Sequence, residues 1–211
     1  KLVNYNAYKR HYARSLKDLA LVNALLVLAG ISCAFLLSAW WPLVWTAACC
    51  LLARLDVAIM ERFNEIKTPT DTYLLQTEIA LLVNGFCAVS VYLIVPLVLM
   101  AQGRYDLSII AMALFAASAI RTANTFSISN RVGLACYLPF VIGIVVALTL
   151  DLRHNLDSSL GGHIMAGVAL ISSLGYIWME WHRRFLADCA LDATLEIVKE
   201  QRDDAARNAL V

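Results

Sequence analysis

A chain of 211 residues that is 61% hydrophobic and only 16% charged carries too little polar surface to cover a soluble core of that size. Its net charge of +1 supplies no basic field for nucleic acid. The mean hydropathy is +0.69 and the apolar residues fall in long runs between short polar stretches. This predicts an all-α fold: an integral membrane bundle of about six transmembrane helices with a C-terminal cytoplasmic helix.

Residues 1–18 form a basic N-terminal segment. Tyr5, Tyr8, Tyr12 and Leu16 recur at helical spacing among Lys9, Arg10, Arg14 and Lys17. That suits either a helix at headgroup level leading into the membrane or a plain basic flank. Residues 19–181 hold the spans. The first covers Leu19–Ser38 and is followed by Trp40, Trp41 and Pro42, a tight turn with aromatic anchors at an interface. The second covers Trp41–Met60 and ends in the polar stretch ERFNEIKTPTDT. The third, Ala80–Met100, is extended at its start by a helix carrying Gln76 and Glu78, and AQGRYD turns the chain into the fourth, Leu107–Ile128. The fifth is Val132–Leu150, and DLRHNLDSSLGG leads to the sixth, His163–Trp181. Each approaches the ~20 residues that cross a hydrocarbon layer about 30 Å thick. Residues 182–211 have no Gly or Pro and continue the sixth helix into water, with Leu191, Leu195 and Val198 at 4–3 spacing, extended by Arg202, Ala205 and Ala209. An uncapped helix of this kind in water calls for a partner. The start at Lys1 and the end at Val211 within a helical pattern read as a piece of a longer protein. No cleavable signal peptide is visible.

Charge sets the expected orientation. Lys1, Lys9, Arg10, Arg14, Lys17, Arg54, Arg62, Lys67, Arg121, Arg131, Arg183, Arg184, Lys199, Arg202 and Arg207 fall on one side of this topology. Only Arg104 and Arg153 fall on the other. The positive-inside rule then places both ends in the cytoplasm and leaves short outer connections with no separate sensor domain.

Ionisable groups inside spans are costly and mark candidate sites. Arg54 and Arg121 each lie about 21 Å into the membrane from the outer face, at 1.5 Å per residue. Glu78 enters from the opposite face to a similar level. Glu78 paired with Arg54 or Arg121 would form an intramembrane charge layer. Separate snorkelling to the headgroups, or a proton path, are the other readings, and no carboxylate lies at mid-bilayer to favour the last. Asn84, Tyr92, Tyr137 and Tyr176 are candidates to line a cavity for a small hydrophobic ligand, or else make interhelical hydrogen bonds. Ala113 and Ala117, and Gly162, Ala166, Ala169 and Ser173, are small at spacings that let helices approach closely.

The six cysteines lack C-x-x-C spacing and read as small packing residues, and the four histidines show no ligand spacing. No metal or cofactor is expected. H-E-x-x-H, G-x-S-x-G and Walker motifs are absent from the sequence, so there are no candidate catalytic residues.

The compact set of spans followed by WMEWHRRFLADCALDATLEIVKEQRDDAARNALV resembles the multi-pass membrane sensor region of a bacterial sensor histidine kinase. The same connector style precedes nucleotide cyclase domains. The resemblance implies a homodimer in the bacterial inner membrane. It also implies a kinase or cyclase output domain in the same polypeptide, and transmission through Arg183, Arg184, Leu191, Leu195 and Val198. The phosphoacceptor histidine, the ATP-binding glycines and the G-G-D/E-E-F signature are not in this sequence, so the output would have to follow Val211. A small transporter or membrane enzyme, or a structural membrane subunit, are the alternatives. The absence of mid-bilayer charge and of detectable inverted repeats weighs against the transporter.

Overall fold

The computed structural model describes residues 2–66, 70–125, 129–154 and 160–208. They form α1 (Leu2–Leu37), α2 (Trp41–Glu65), α3 (Asp71–Ala101), α4 (Tyr105–Thr125), α5 (Asn130–His154) and α6 (Leu160–Asn208). α1 passes through residue 18 without a break. α2 runs on to Glu65, where the Ile66 N–H returns to the Phe63 carbonyl, and α3 starts at Asp71, where Thr70 caps it by accepting from the Tyr73 N–H at 3.3 Å. The polar connection is therefore shorter than the sequence pattern suggests.

The turns have local causes. After α1, the Ser38 and Ala39 N–H groups return to the Phe35 and Ala34 carbonyls. This closes a helix C-terminus that requires a left-handed residue. Ser38 adopts it at φ 48°, a conformation that costs a non-glycine residue roughly 1 kcal/mol. Pro42 in the first turn of α2 removes an N–H that has no helical partner there. The turn after α3 uses Gly103 at φ 66° for the same job.

Packing follows from the buried stripes. On α2, Trp45, Cys49, Ala53, Val57, Met60 and Phe63 are buried at steps of three and four, one helical face. α3 is the central helix, in contact with α2, α4 and α5, while α1 packs on α2 and α6 on α4 and α5. The core between them includes Leu81, Leu93, Leu99, Leu107, Phe115, Phe140 and Ile144, with Phe115 and Phe140 edge to face at 6.2 Å. α1 meets α2 at Gly30, where a Cβ would overlap the Thr46 hydroxyl. Cys33, Cys49 and Cys136 are buried thiols in this packing.

Among the described residues four helices are long and apolar enough to cross a membrane: Leu19–Leu37 within α1, α2, α3, and Arg131–Leu150 within α5. The apolar stretch of α4, Asp106–Ile120, is shorter and rises only about 22 Å. In α6 the side chains of residues 160–166, including Gly162, His163 and Ala166, lie outside those described, as does that of Ala169. The described residues are thus an all-helical bundle with four candidate spans.

Candidate functional site

Glu78 sits on α3 with its side chain only 16% exposed. Its described partners, Ser129 and Arg131, are not among those the sequence pointed to. One carboxylate oxygen accepts from the Ser129 hydroxyl at 2.9 Å, and the other lies 3.7 Å from the Arg131 guanidinium, which is 74% exposed. Ser129 is also the N-cap of α5, accepting from the Val132 N–H at 3.2 Å. The carboxylate therefore lies at the positive end of α5, where backbone N–H groups and the helix dipole favour negative charge. Arg54 is exposed on α2, on the side away from its buried stripe. The Arg121 side chain lies outside those described. The sequence carried a signal for the observed partners: Ser129 three residues before Val132 is an N-cap signature, with a cation two positions later.

The four cavity candidates do not converge. Asn84 is buried on α3, where its amide nitrogen donates to the Leu52 carbonyl at 3.3 Å. Its Oδ1 is buried without a hydrogen-bond partner. Tyr92, two turns on, donates to the Cys49 carbonyl at 3.4 Å. Both thus tie α3 to α2. Tyr137 is half-buried against the core from α5, and Tyr176 is exposed on α6. A cavity of about 460 Å³ does exist, but only Tyr92 of the four lines it. Its other walls are Leu26 and Ala29 of α1, Trp45 of α2, and Leu114 and Ser118 of α4. That volume falls in the range of small-molecule sites. Trp45 Nε1 donates to the Val91 carbonyl at 2.7 Å, and Ser118 Oγ to the Leu114 carbonyl at 2.9 Å. The exposed Leu25 and Ile120 stand among the lining residues, so the cavity is a groove open to the side of the bundle. Trp45, Leu26, Ala29 and Leu114 escape a sequence reading because apolar runs do not reveal which helices become neighbours.

The transmission candidates lie along one continuous helix. α6 passes Trp181 without a break, with Trp178 and Trp181 in ring contact at 4.5 Å. Beyond them Leu191, Leu195 (46% exposed) and Val198 are all exposed, as are Leu186 and Ile197. Arg183 is exposed, and the Arg184 side chain lies outside those described.

Among the described residues no three His, Cys, Asp or Glu side chains are grouped to hold a metal ion. No protein-family model, curated protein or solved structure matches the chain.

Proposed function

We propose that the chain is the membrane-embedded sensory and signal-transmitting module of a bacterial receptor, of the sensor histidine kinase kind or a related cyclase-linked one. In this reading six helices span the inner membrane with both ends in the cytoplasm, and α4 and α6 complete the four candidate spans. The observation that carries the reading is the length of α6. Its 49 residues rise about 74 Å, against a hydrocarbon layer of about 30 Å. A rigid rod that begins inside the bundle against α4 and α5 and ends far outside it can move a distant domain.

A stimulus shifts the bundle between two packings, and α6 conveys the difference as rotation, tilt or a change of register. Arg183 and Arg184 mark the membrane exit. Leu191, Leu195 and Val198 form the seam with a second copy, where each side chain fully buried contributes about 1.5–3 kcal/mol. A kinase or cyclase domain following in the same polypeptide receives the motion. The imperfect seam, with Arg202 on its line, suits two packings of similar energy.

Disulfide scanning with single cysteines from residue 188 to 209, in membranes and with the native polypeptide beyond Val211, tests this reading. Cross-linking is expected to peak at 191, 195 and 198. Uniformly weak cross-linking, with a monomeric mass in mild detergent, would remove the dimer and the receptor reading with it.

A further inference from the structure

Given the six-span arrangement proposed above, on which this rests, we propose that the exposed side of α4 is a contact surface for short-chain phospholipids, beside which the bilayer thins to the length of that helix. The apolar stretch of α4, Asp106–Ile120, rises about 22 Å. That is about 8 Å less than a hydrocarbon layer of about 30 Å. Its outer end is marked by the exposed ion pair of Arg104 and Asp106 at 2.7 Å, charged groups that hydrocarbon would strip of water.

Two faces of α4 differ sharply. Leu107, Ala111, Phe115 and Ala119 are buried where the helix packs on α3, α5 and α6. Ile109, Ala113, Ala116 and Ile120 recur at steps of four, three and four on the other face, and all four are exposed. The two isoleucines that bound this stripe lie about 16.5 Å apart along the axis. On the neighbouring α5, Leu134, Leu138, Ile142 and Val145 are exposed within a stretch of 20 residues, which rises about 30 Å. Adjacent helices thus offer acyl chains two different thicknesses.

The mismatch is relieved in one direction only. A span longer than the hydrocarbon layer tilts, whereas a shorter one draws the layer in. Leu19–Leu37, α2, α3 and Arg131–Leu150 of α5 are all longer than the apolar stretch of α4, so they can tilt into a thin layer. α4 cannot meet a thick layer without carrying the charge of Asp106 into hydrocarbon. The lipid beside α4 therefore adjusts to the protein, and short acyl chains fill the thinned layer with less compression than long ones.

The test uses the full chain in dioleoyl phosphatidylcholine vesicles that contain traces of two phosphatidylcholine probes. One carries lauroyl-length chains and the other stearoyl-length chains, each with a photoreactive diazirine at the chain end. Adducts are mapped by mass spectrometry at Ala113 and Ala116 of α4 and at Leu138 and Ile142 of α5, near the middle of each apolar stretch. The short-to-long adduct ratio is expected to be about threefold higher on α4 than on α5. Arg104→Leu combined with Asp106→Leu lengthens the apolar stretch and is expected to bring the α4 ratio down toward that of α5. If that double variant fails to fold, the ratio on the native chain decides alone. Equal ratios on the two helices would overturn the thinned layer while leaving the six spans intact. Adducts on α5 with none on α4 would overturn the lipid contact together with the spanning role of α4, and cross-links from α4 to a second copy would show a protein occupant instead.

Discussion

α3 and α6 stand at opposite ends of one scale. α3 has neighbours on three sides and buries Leu81, Asn84, Ala88, Tyr92, Val95 and Leu99 along its length. α6 is the longest helix and buries Ile177 against the bundle, yet past Trp181 it displays Leu186, Leu191, Leu195, Ile197 and Val198. Exposed apolar side chains also cover α1 and α2, among them Phe35 and Leu51. The difference lies in the surrounding medium. A leucine within a membrane span faces acyl chains and needs no protein partner, whereas the same residue on a helix that has left the membrane keeps its hydrophobic cost until something covers it. In the proposed arrangement, equal exposure means contact with lipid in one region and an interface for a second copy in the other.

The comparison can be broken first in the core. Phe115→Ala removes a fully buried ring packed on Phe140 and is expected to cost about 3–5 kcal/mol, read as an earlier unfolding midpoint in detergent. Leu195→Ser should leave that midpoint unchanged while it weakens association between copies. A large loss of monomer stability from Leu195→Ser would mean that the tail folds back on its own bundle.

A smaller effect is expected where α3 holds the start of α5. Ser129→Ala removes both the N-cap of α5 and the hydroxyl that binds Glu78. A loss of about 1 kcal/mol is expected, with faster hydrogen exchange in the first turn of α5. Unchanged exchange there would show that the cap contributes nothing.

The smallest effect belongs to the turn between α3 and α4. Arg104 donates to both oxygens of the exposed Asp106 carboxylate at 3.2 and 2.7 Å. This hydrogen bonding holds the Asp106 carboxyl below its usual range. A carboxylate whose pKa is lowered by folding stabilises the fold above its unfolded value. It loses that contribution as the pH falls through the folded value. Arg104→Gln should move the Asp106 titration upward toward the ordinary carboxylate range by NMR, with almost no change in stability, since exposed pairs contribute little. An unmoved titration would show that the pairing is not made in solution.

Legibility in the sequence followed the range of the physics. Local effects were readable: the turn AQGRYD holds Gly103 at positive φ, and the absence of Gly and Pro after Trp181 matches the unbroken α6. The starts of α3 and α5 were read late, because hydropathy marks the span while capping by Thr70 and Ser129 marks the helix start; the predicted end of the fourth span at Ile128 lies outside the described residues. The described partners of Glu78 were missed for a related reason. Depth along the membrane ranks Arg54, Arg121 and Glu78 together, but whether side chains meet depends on which faces the helices turn toward each other. α2 turns Arg54 outward, while the close approach of α3 to α5 brings in Arg131. The groove was illegible for the same cause, since its walls come from four helices whose order around the bundle is a property of the packing alone.

The central claim is that the exposed stripe on α6 is the seam of a parallel homodimer. A nitroxide spin label at a cysteine introduced at Leu195 tests it directly, by pulsed electron–electron distance measurement on the full chain in lipid vesicles. Two helices paired at this level lie about 10 Å apart. The expected result is therefore one narrow, short interchain distance, with a longer one when the label is moved to the opposite face at Ala193. A signal with no interchain distance above background, or the same broad distribution at both positions, would contradict the dimer seam.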